Sequence, residues 1–293
     1  MISGVLLLVL TGICWVLIAV VISLAAHRGL DLDFIQAGAA LLTAFAAGAV
    51  MLLQPAPESS LAERAPVEVA IFFAGVGNYL MIKLMNCGME RGNNGAVWGI
   101  SQSALLFPFL MGICCFNVAP TGMRICGLLL ILTAIVCFSF ARSRRPVKRG
   151  NWLVPTMGAF LCAGISQCCA NLPSYLHLAG MSSPRRAFFV QLGILASFAV
   201  HFFLTRTRIR PRGTLPLLLT LALVNIVSLF FFFYNGLNRV AACGAGSIGY
   251  PIAMGACISG FFLYSLFVLR ERLNLPACIG LAAVLSGIVT IAV

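Results

Sequence analysis

Charge is what this sequence has least of. Only 9% of its 293 residues are Asp, Glu, Lys or Arg, against roughly a quarter in soluble domains. The acids are scarcest, seven in all, and Asp31, Asp33, Glu58, Glu63, Glu68, Glu90 and Glu271 each fall in or beside a break between apolar runs. No carboxylate is therefore expected deep in a membrane, which leaves proton exchange with a cationic drug through a buried acid without support. Three histidines scattered near the ends of apolar runs, His177 and His201 among them, make a poor acid/base set for an intramembrane enzyme. No GxxxxGK[ST] phosphate loop occurs, and no polar stretch is long enough to hold a nucleotide-binding domain. The twelve cysteines lie inside apolar runs without zinc-like spacing, so they read as small hydrophobes rather than disulfides or metal ligands. No metal or cofactor is expected.

What is present is apolar surface. The chain is 61% hydrophobic with a mean hydropathy of +1.05. Runs of about 20 residues, the length an α-helix needs to cross ~30 Å of hydrocarbon, recur from end to end. Ten such runs are expected, near 2–26, 34–53, 67–88, 94–116, 120–141, 153–176, 186–204, 214–236, 245–269 and 274–293. Their continuity favours helices over a barrel. The first run reads as a span rather than a signal peptide, because no Lys or Arg precedes Arg28.

The net charge of +12 orients the chain. Fourteen of the nineteen basic residues fall in one set of alternate breaks, including Lys83 and the RSRRPVKRG segment at 142–150; the other set holds Arg64, Arg124, Arg185, Arg186 and Arg239. Basic residues concentrate in cytoplasmic loops, so both termini are expected outside and the linker inside, meeting anionic lipid heads. No nucleic-acid partner is required.

Two stretches, GNNGAVWGISQSALLFPF at 92–109 and GAGSIGYPIAMGACISGF at 244–261, resemble one another at a spacing of 152 residues. The same shift aligns Gly12 with Gly164, Asn86 with Asn238, Trp98 with Tyr250 and Phe109 with Phe261. The expected organisation is a first five-helix repeat at 1–141, a basic cytoplasmic linker at 142–152 and a second repeat at 153–293. Five spans per copy force the second to cross in the opposite sense, so the fold class is an all-α integral membrane protein of two inverted repeats. That plan recurs in secondary transporters, with the substrate site near the midplane.

Polar stripes mark the expected site. Asn94, Trp98 and Gln102 stand at i, i+4, i+8, as do Gln167, Asn171 and Tyr175. Such faces are costly against lipid and should meet either a wet cavity or other helices. Trp15, Asn78, Asn225 and Tyr250 are further candidates, and the Phe230–Phe233 run with Tyr234 offers an aromatic wall. Lys83 reads either as a contact for an anionic group or as a residue snorkelling to the lipid heads. Gly95 and Gly99 form a GxxxG pair suited to close helix packing, and Pro108 and Pro251 are expected to interrupt helices.

The segment SIGYPIAMGACISGFFLYSLFVLRERLNLPACIGLAAVLSGIVTIAV resembles the last two helices of the drug/metabolite transporter superfamily, in its ten-helix EamA-like branch. A small-residue and proline start, the Arg270-Glu271-Arg272 turn and a helix of the form xIGxxxxxxGIV carry the likeness; NVAPTGMRICGLLL in the first half lacks the acidic turn. The resemblance implies a central cavity lined by helices one to four and six to nine. It puts Trp15, Asn78, Trp98, Gln102, Gln167, Asn171, Asn225 and Tyr250 near that cavity. The expectation is a transporter in the cell membrane, monomeric or homodimeric, carrying a small polar solute such as an amino acid, sugar or nucleoside. A lipid-modifying enzyme and a non-transporting scaffold or receptor are the rival readings.

Overall fold

The computed structural model describes residues 1–54, 60–116, 121–140, 150–176, 181–206, 211, 213–243, 249–270 and 274–292. Most of the basic linker at 142–152, His177, Glu58 and Glu271 thus lie outside the described residues. Every described element is helical: α1 Ile2–Arg28, α2 Leu32–Leu53, α3 Leu61–Met89, α4 Asn94–Gln102, α5 Leu106–Phe116, α6 Gly122–Ser139, α7 Leu153–Tyr175, α8 Ser183–Thr205, α9 Leu215–Ile226, α10 Tyr234–Ala241, α11 Gly249–Phe267 and α12 Leu275–Ala292. A 3₁₀ turn at Ser103–Leu105 joins α4 to α5, and a π-helical segment at Val227–Phe233 joins α9 to α10.

Short-range chemistry fixes several helix ends. Gly29 takes φ 61° and closes α1, a conformation open to glycine without a Cβ clash. Two residues later the Asp31 carboxylate accepts the Phe34 amide at 3.0 Å and starts α2. A capping box between Ser60 and Glu63 starts α3 at Leu61, six residues ahead of its apolar run, so Glu63 and Glu68 are helical. Asn93 accepts the Ala96 amide at 2.9 Å and starts α4.

The two prolines behave differently. Pro108 cannot donate to the carbonyl of Ala104, and the tighter 3₁₀ turn sits there. Pro251 is the third residue of α11 as described, and the helix continues unbroken from it to Phe267.

Among the described residues, eight helical stretches are long and apolar enough to cross a membrane, counting 94–116 and 215–240 as one each; α6 and α12 contain shorter apolar segments. Each of the ten apolar runs falls on one of these helices. Leu215, Leu219 and Leu223 lie along one exposed strip of α9, and Ile2, Leu6, Ile13 and Leu17 along α1. Such apolar patches are a liability in water and are what lipid requires, so the chain has the character of a multi-pass membrane protein.

Packing pairs the two halves of the chain. Gly12 and Val16 of α1 meet Ala253 and Gly260 of α11, so these helices run parallel. In α2 and the α9 stretch, Gly38 meets Leu218 and Ala47 clusters with Phe230, again parallel. Gly75 of α3 abuts the Val190 carbonyl of α8, and Gly193 abuts the Phe72 carbonyl, so close that neither position has room for a Cβ. Phe107 and Gly112 of α5 face Gly164 and Tyr175 of α7, while α6 and α12 run antiparallel, with Phe138 on Gly280 and Gly127 on Gly287. Gly95 and Gly99 face the rings of Phe262 on α11 and Phe138 on α6, so the pair receives aromatic side chains from two helices where a close crossing with one helix was expected.

Candidate functional site

A cavity of about 150 Å³ opens in the middle of the bundle. From the first half, α1 contributes Trp15 and Ile18, α2 contributes Gln36, α3 contributes Ala74, Asn78, Met81 and Ile82, and α4 contributes Trp98 and Gln102. The second half supplies Ser166 and Gln167 from α7, Val190, Gln191 and Ile194 from α8, Leu221, Asn225, Leu229, Phe233 and Tyr234 from the α9 to α10 stretch, and Tyr250 and Met254 from α11. The wall mixes amide and hydroxyl side chains with aromatic and aliphatic ones and is uncharged: among the described residues, no Asp, Glu, Lys, Arg or His lines it.

Several polar atoms at this wall lack a protein partner. Gln36 is 3% exposed, and neither its amide nitrogen nor its oxygen is hydrogen-bonded; the Oε1 atoms of Gln167 and Gln191 are likewise unpartnered. Buried polar groups are normally satisfied, and an orphaned one costs on the order of 1–3 kcal/mol. Glutamines that converge on a cavity can recover that cost from a polar solute or from water. The aromatic side is tightly ordered, with the Phe233 ring 4.8 Å from Trp15 and 5.3 Å from Tyr250. Phe231, by contrast, points outward at 60% exposure, so the phenylalanine run divides between lipid and cavity. The π-helical turn carries this change of face, and Asn235 Nδ2 donates to the carbonyls of Phe230 and Phe231 there. Segments of this kind are frequent at functional sites.

Of the residues singled out in the sequence, Trp15, Asn78, Trp98, Gln102, Gln167, Asn225 and Tyr250 line the cavity. Asn94, Asn171, Tyr175 and Lys83 stand elsewhere. Asn94 lies at the start of α4, where its Oδ1 accepts from Ser23 Oγ of α1 at 3.3 Å. Asn171 is buried but outside the lining. The Tyr175 hydroxyl donates to the Pro108 carbonyl at 3.1 Å, and its ring stacks on Phe116 at 4.6 Å. Asn94 and Tyr175 thus join helices, the alternative that polar stripes carry. Gln36, Gln191 and Tyr234 also line the wall; Gln191 has no polar neighbour at helical spacing to mark it, and Gln36 has only Asp33 three residues before it.

Lys83 is neither in the cavity nor simply reaching for lipid. Its ammonium donates to Asp33 Oδ2 at 2.9 Å and lies 2.6 Å from His201 Nε2. The Tyr79 hydroxyl donates to the other Asp33 oxygen at 2.9 Å. This cluster ties α2, α3 and α8 at one end of the bundle. At the other end of α3 and α8, Arg185 Nε donates to Glu68 Oε1 at 2.7 Å. Among the described residues no group of three or more His, Cys, Asp or Glu stands ready for a metal ion, and the cysteines are free.

No family model matches the sequence, and no curated protein matches it. Solved structures do. One, a crystal structure of a protein, shares 15% identity at a TM-score of 0.65, covering 98% of this chain and 96% of its own. That likeness concerns the fold.

Proposed function

We propose that this chain is a secondary transporter that moves a small polar metabolite across the membrane by alternating access. The observation that carries the reading is the mid-bundle cavity, built from both halves of the chain and walled by glutamines with unmet hydrogen-bonding capacity. A scaffold would satisfy those amides in helix contacts, as Asn94 and Tyr175 are satisfied.

The helix pairing supports an inverted repeat. Numbering the ten apolar runs in order, the parallel partners are one with nine, two with eight, three with seven, as the Glu68–Arg185 and Lys83–His201 contacts show, and four with six, while five and ten run antiparallel. Exchanging each run for the one five places away returns the same set of pairs. That is the behaviour expected of two five-span copies related by an axis in the membrane plane, with α6 and α12 completing the ten. Together with the C-terminal motif, it favours membership of the drug/metabolite transporter superfamily, in the cell membrane, with the termini outside.

Counterflow in liposomes tests the proposal. Labelled solute should accumulate inside vesicles preloaded with the same unlabelled solute, without nucleotide. Turnover of a lipid by the purified chain, with no counterflow for any amino acid, sugar or nucleoside, would replace transport with enzymatic activity.

A further inference from the structure

Charge burial singles out one residue that the transport reading leaves unexplained. Among the described residues only two charged side chains are buried, Glu68 and Arg186. Glu68 has Arg185 as its counter-ion. Arg186 is 3% exposed, and no carboxylate among the described residues pairs with it. Its Nη1 donates to Ser174 Oγ at 3.3 Å, its guanidinium lies 5.3 Å from the centre of the Tyr234 ring, and its Nε is unpartnered. Hydroxyl and π contacts soften the isolation of a buried cation without neutralising it.

The position of Arg186 says what would neutralise it. Arg186 stands four residues, one turn, before Val190 on α8, and Val190 lines the cavity, so the guanidinium lies one turn beyond the wall. Tyr234 both lines the cavity and packs against the guanidinium. Arg186 also lies in the first turn of α8, whose Ser182 cap makes no side-chain hydrogen bond, and a helix N-terminus favours negative charge. Lys83, at the far end of the same helix pair, is already neutralised by Asp33.

We propose that Arg186 binds the carboxylate of the transported solute, which makes this a site for small polar monocarboxylates. The inference rests on the transport reading and narrows its substrate class. With Nη1 engaged by Ser174, the buried Nε is left without a partner, and a guanidinium can offer two parallel N–H donors to a carboxylate. One guanidinium balances one negative charge, so a phosphate dianion would leave charge unmatched. The uncharged amides of Gln36, Gln191, Asn78 and Asn225 meet the hydroxyl or amide groups of the same solute. Nothing at the wall balances a second charge of either sign.

Binding of lactate, glycerate and gluconate to the purified full chain, by thermal shift and calorimetry, tests this, with lactamide, glucose and inorganic phosphate as controls. The carboxylates should bind at least about tenfold more tightly than the uncharged controls, as expected for one charge-assisted pair. Arg186→Gln should erase that preference, and Arg186→Lys should restore part of it. The unliganded Arg186→Gln protein should melt no lower than the parent, since a buried unpaired charge has been removed. A large fall in melting temperature with carboxylate preference retained would make Arg186 a packing residue and overturn the proposal. Stronger binding of phosphate than of any carboxylate would overturn it as well. Counterflow of glucose or another neutral solute that is unchanged in Arg186→Gln would sink the carboxylate assignment and leave transport standing. Absence of counterflow for every solute would remove the transport reading itself.

Discussion

Lys83 Nζ lies 2.9 Å from Asp33 Oδ2, across 50 residues of sequence, and so joins the third apolar run to the start of the second. Their side chains are 36% and 26% exposed, which places the pair at a partly wet end of the bundle. A double-mutant cycle over Asp33→Asn and Lys83→Met, read by thermal unfolding in detergent, should give a coupling of about 0.5–1 kcal/mol, the range of a partly screened pair. Zero coupling would return Lys83 to independent snorkelling.

The crossing of α3 and α8 leaves no room for a Cβ at Gly75 or Gly193. A methyl group on Gly75 would press on the Val190 carbonyl, so Gly75→Ala should destabilise by about 1–3 kcal/mol through overpacking. Gly48 offers a control, since a Cβ there would meet Phe188 at 3.5 Å, an ordinary contact. Gly48→Ala should keep the folded yield and melting temperature of the parent. Equal tolerance of both substitutions would mean that the helices cross farther apart than described.

Two residues from the sequence stripes should separate in their effects. Gln102 lines the cavity and Asn171 does not. Gln102→Leu should abolish counterflow with folded yield retained, whereas Asn171→Leu should act through yield or melting temperature and spare specific activity. The reverse result would move the site along α7.

Orientation has its own test. In a background with the twelve native cysteines replaced, a cysteine introduced at 142–150 should react with impermeant reagent only from the cytoplasmic side, and one at Ser60 only from outside. Labelling with the opposite sidedness would invert the topology.

The element order was legible because apolar runs of bilayer length leave few alternatives to helices. The stripes were legible only over one turn. A step of four residues advances a 3.6-residue helix by about 40° beyond a full turn, so eight residues swing the face by about 80°. Trp98 and Gln102 therefore share the cavity while Asn94 turns to Ser23 of α1, and Gln167 faces the cavity while Tyr175 turns to the Pro108 carbonyl. Gln36 and Gln191 left a fainter signal, each a lone amide in an apolar run. Arg186 was hidden by the rule that orients the chain, because a basic residue beside a break reads as part of a loop. His201 reaches Lys83 over 118 residues, a separation at which no local pattern carries information.

The parallel helices α3 and α8 touch backbone to backbone at Gly75 and Gly193 and carry an ion pair or charged cluster toward each end, Glu68 with Arg185 and Lys83 with Asp33 and His201. About 15 residues of α3 separate those anchors, roughly 22 Å along the axis. Interlocked main chains resist sliding, yet they form a fulcrum. Tilting one helix against the other would stretch the anchor at one end while compressing the opposite one, as on a see-saw, so the two cannot both hold their present distances once the pair rocks.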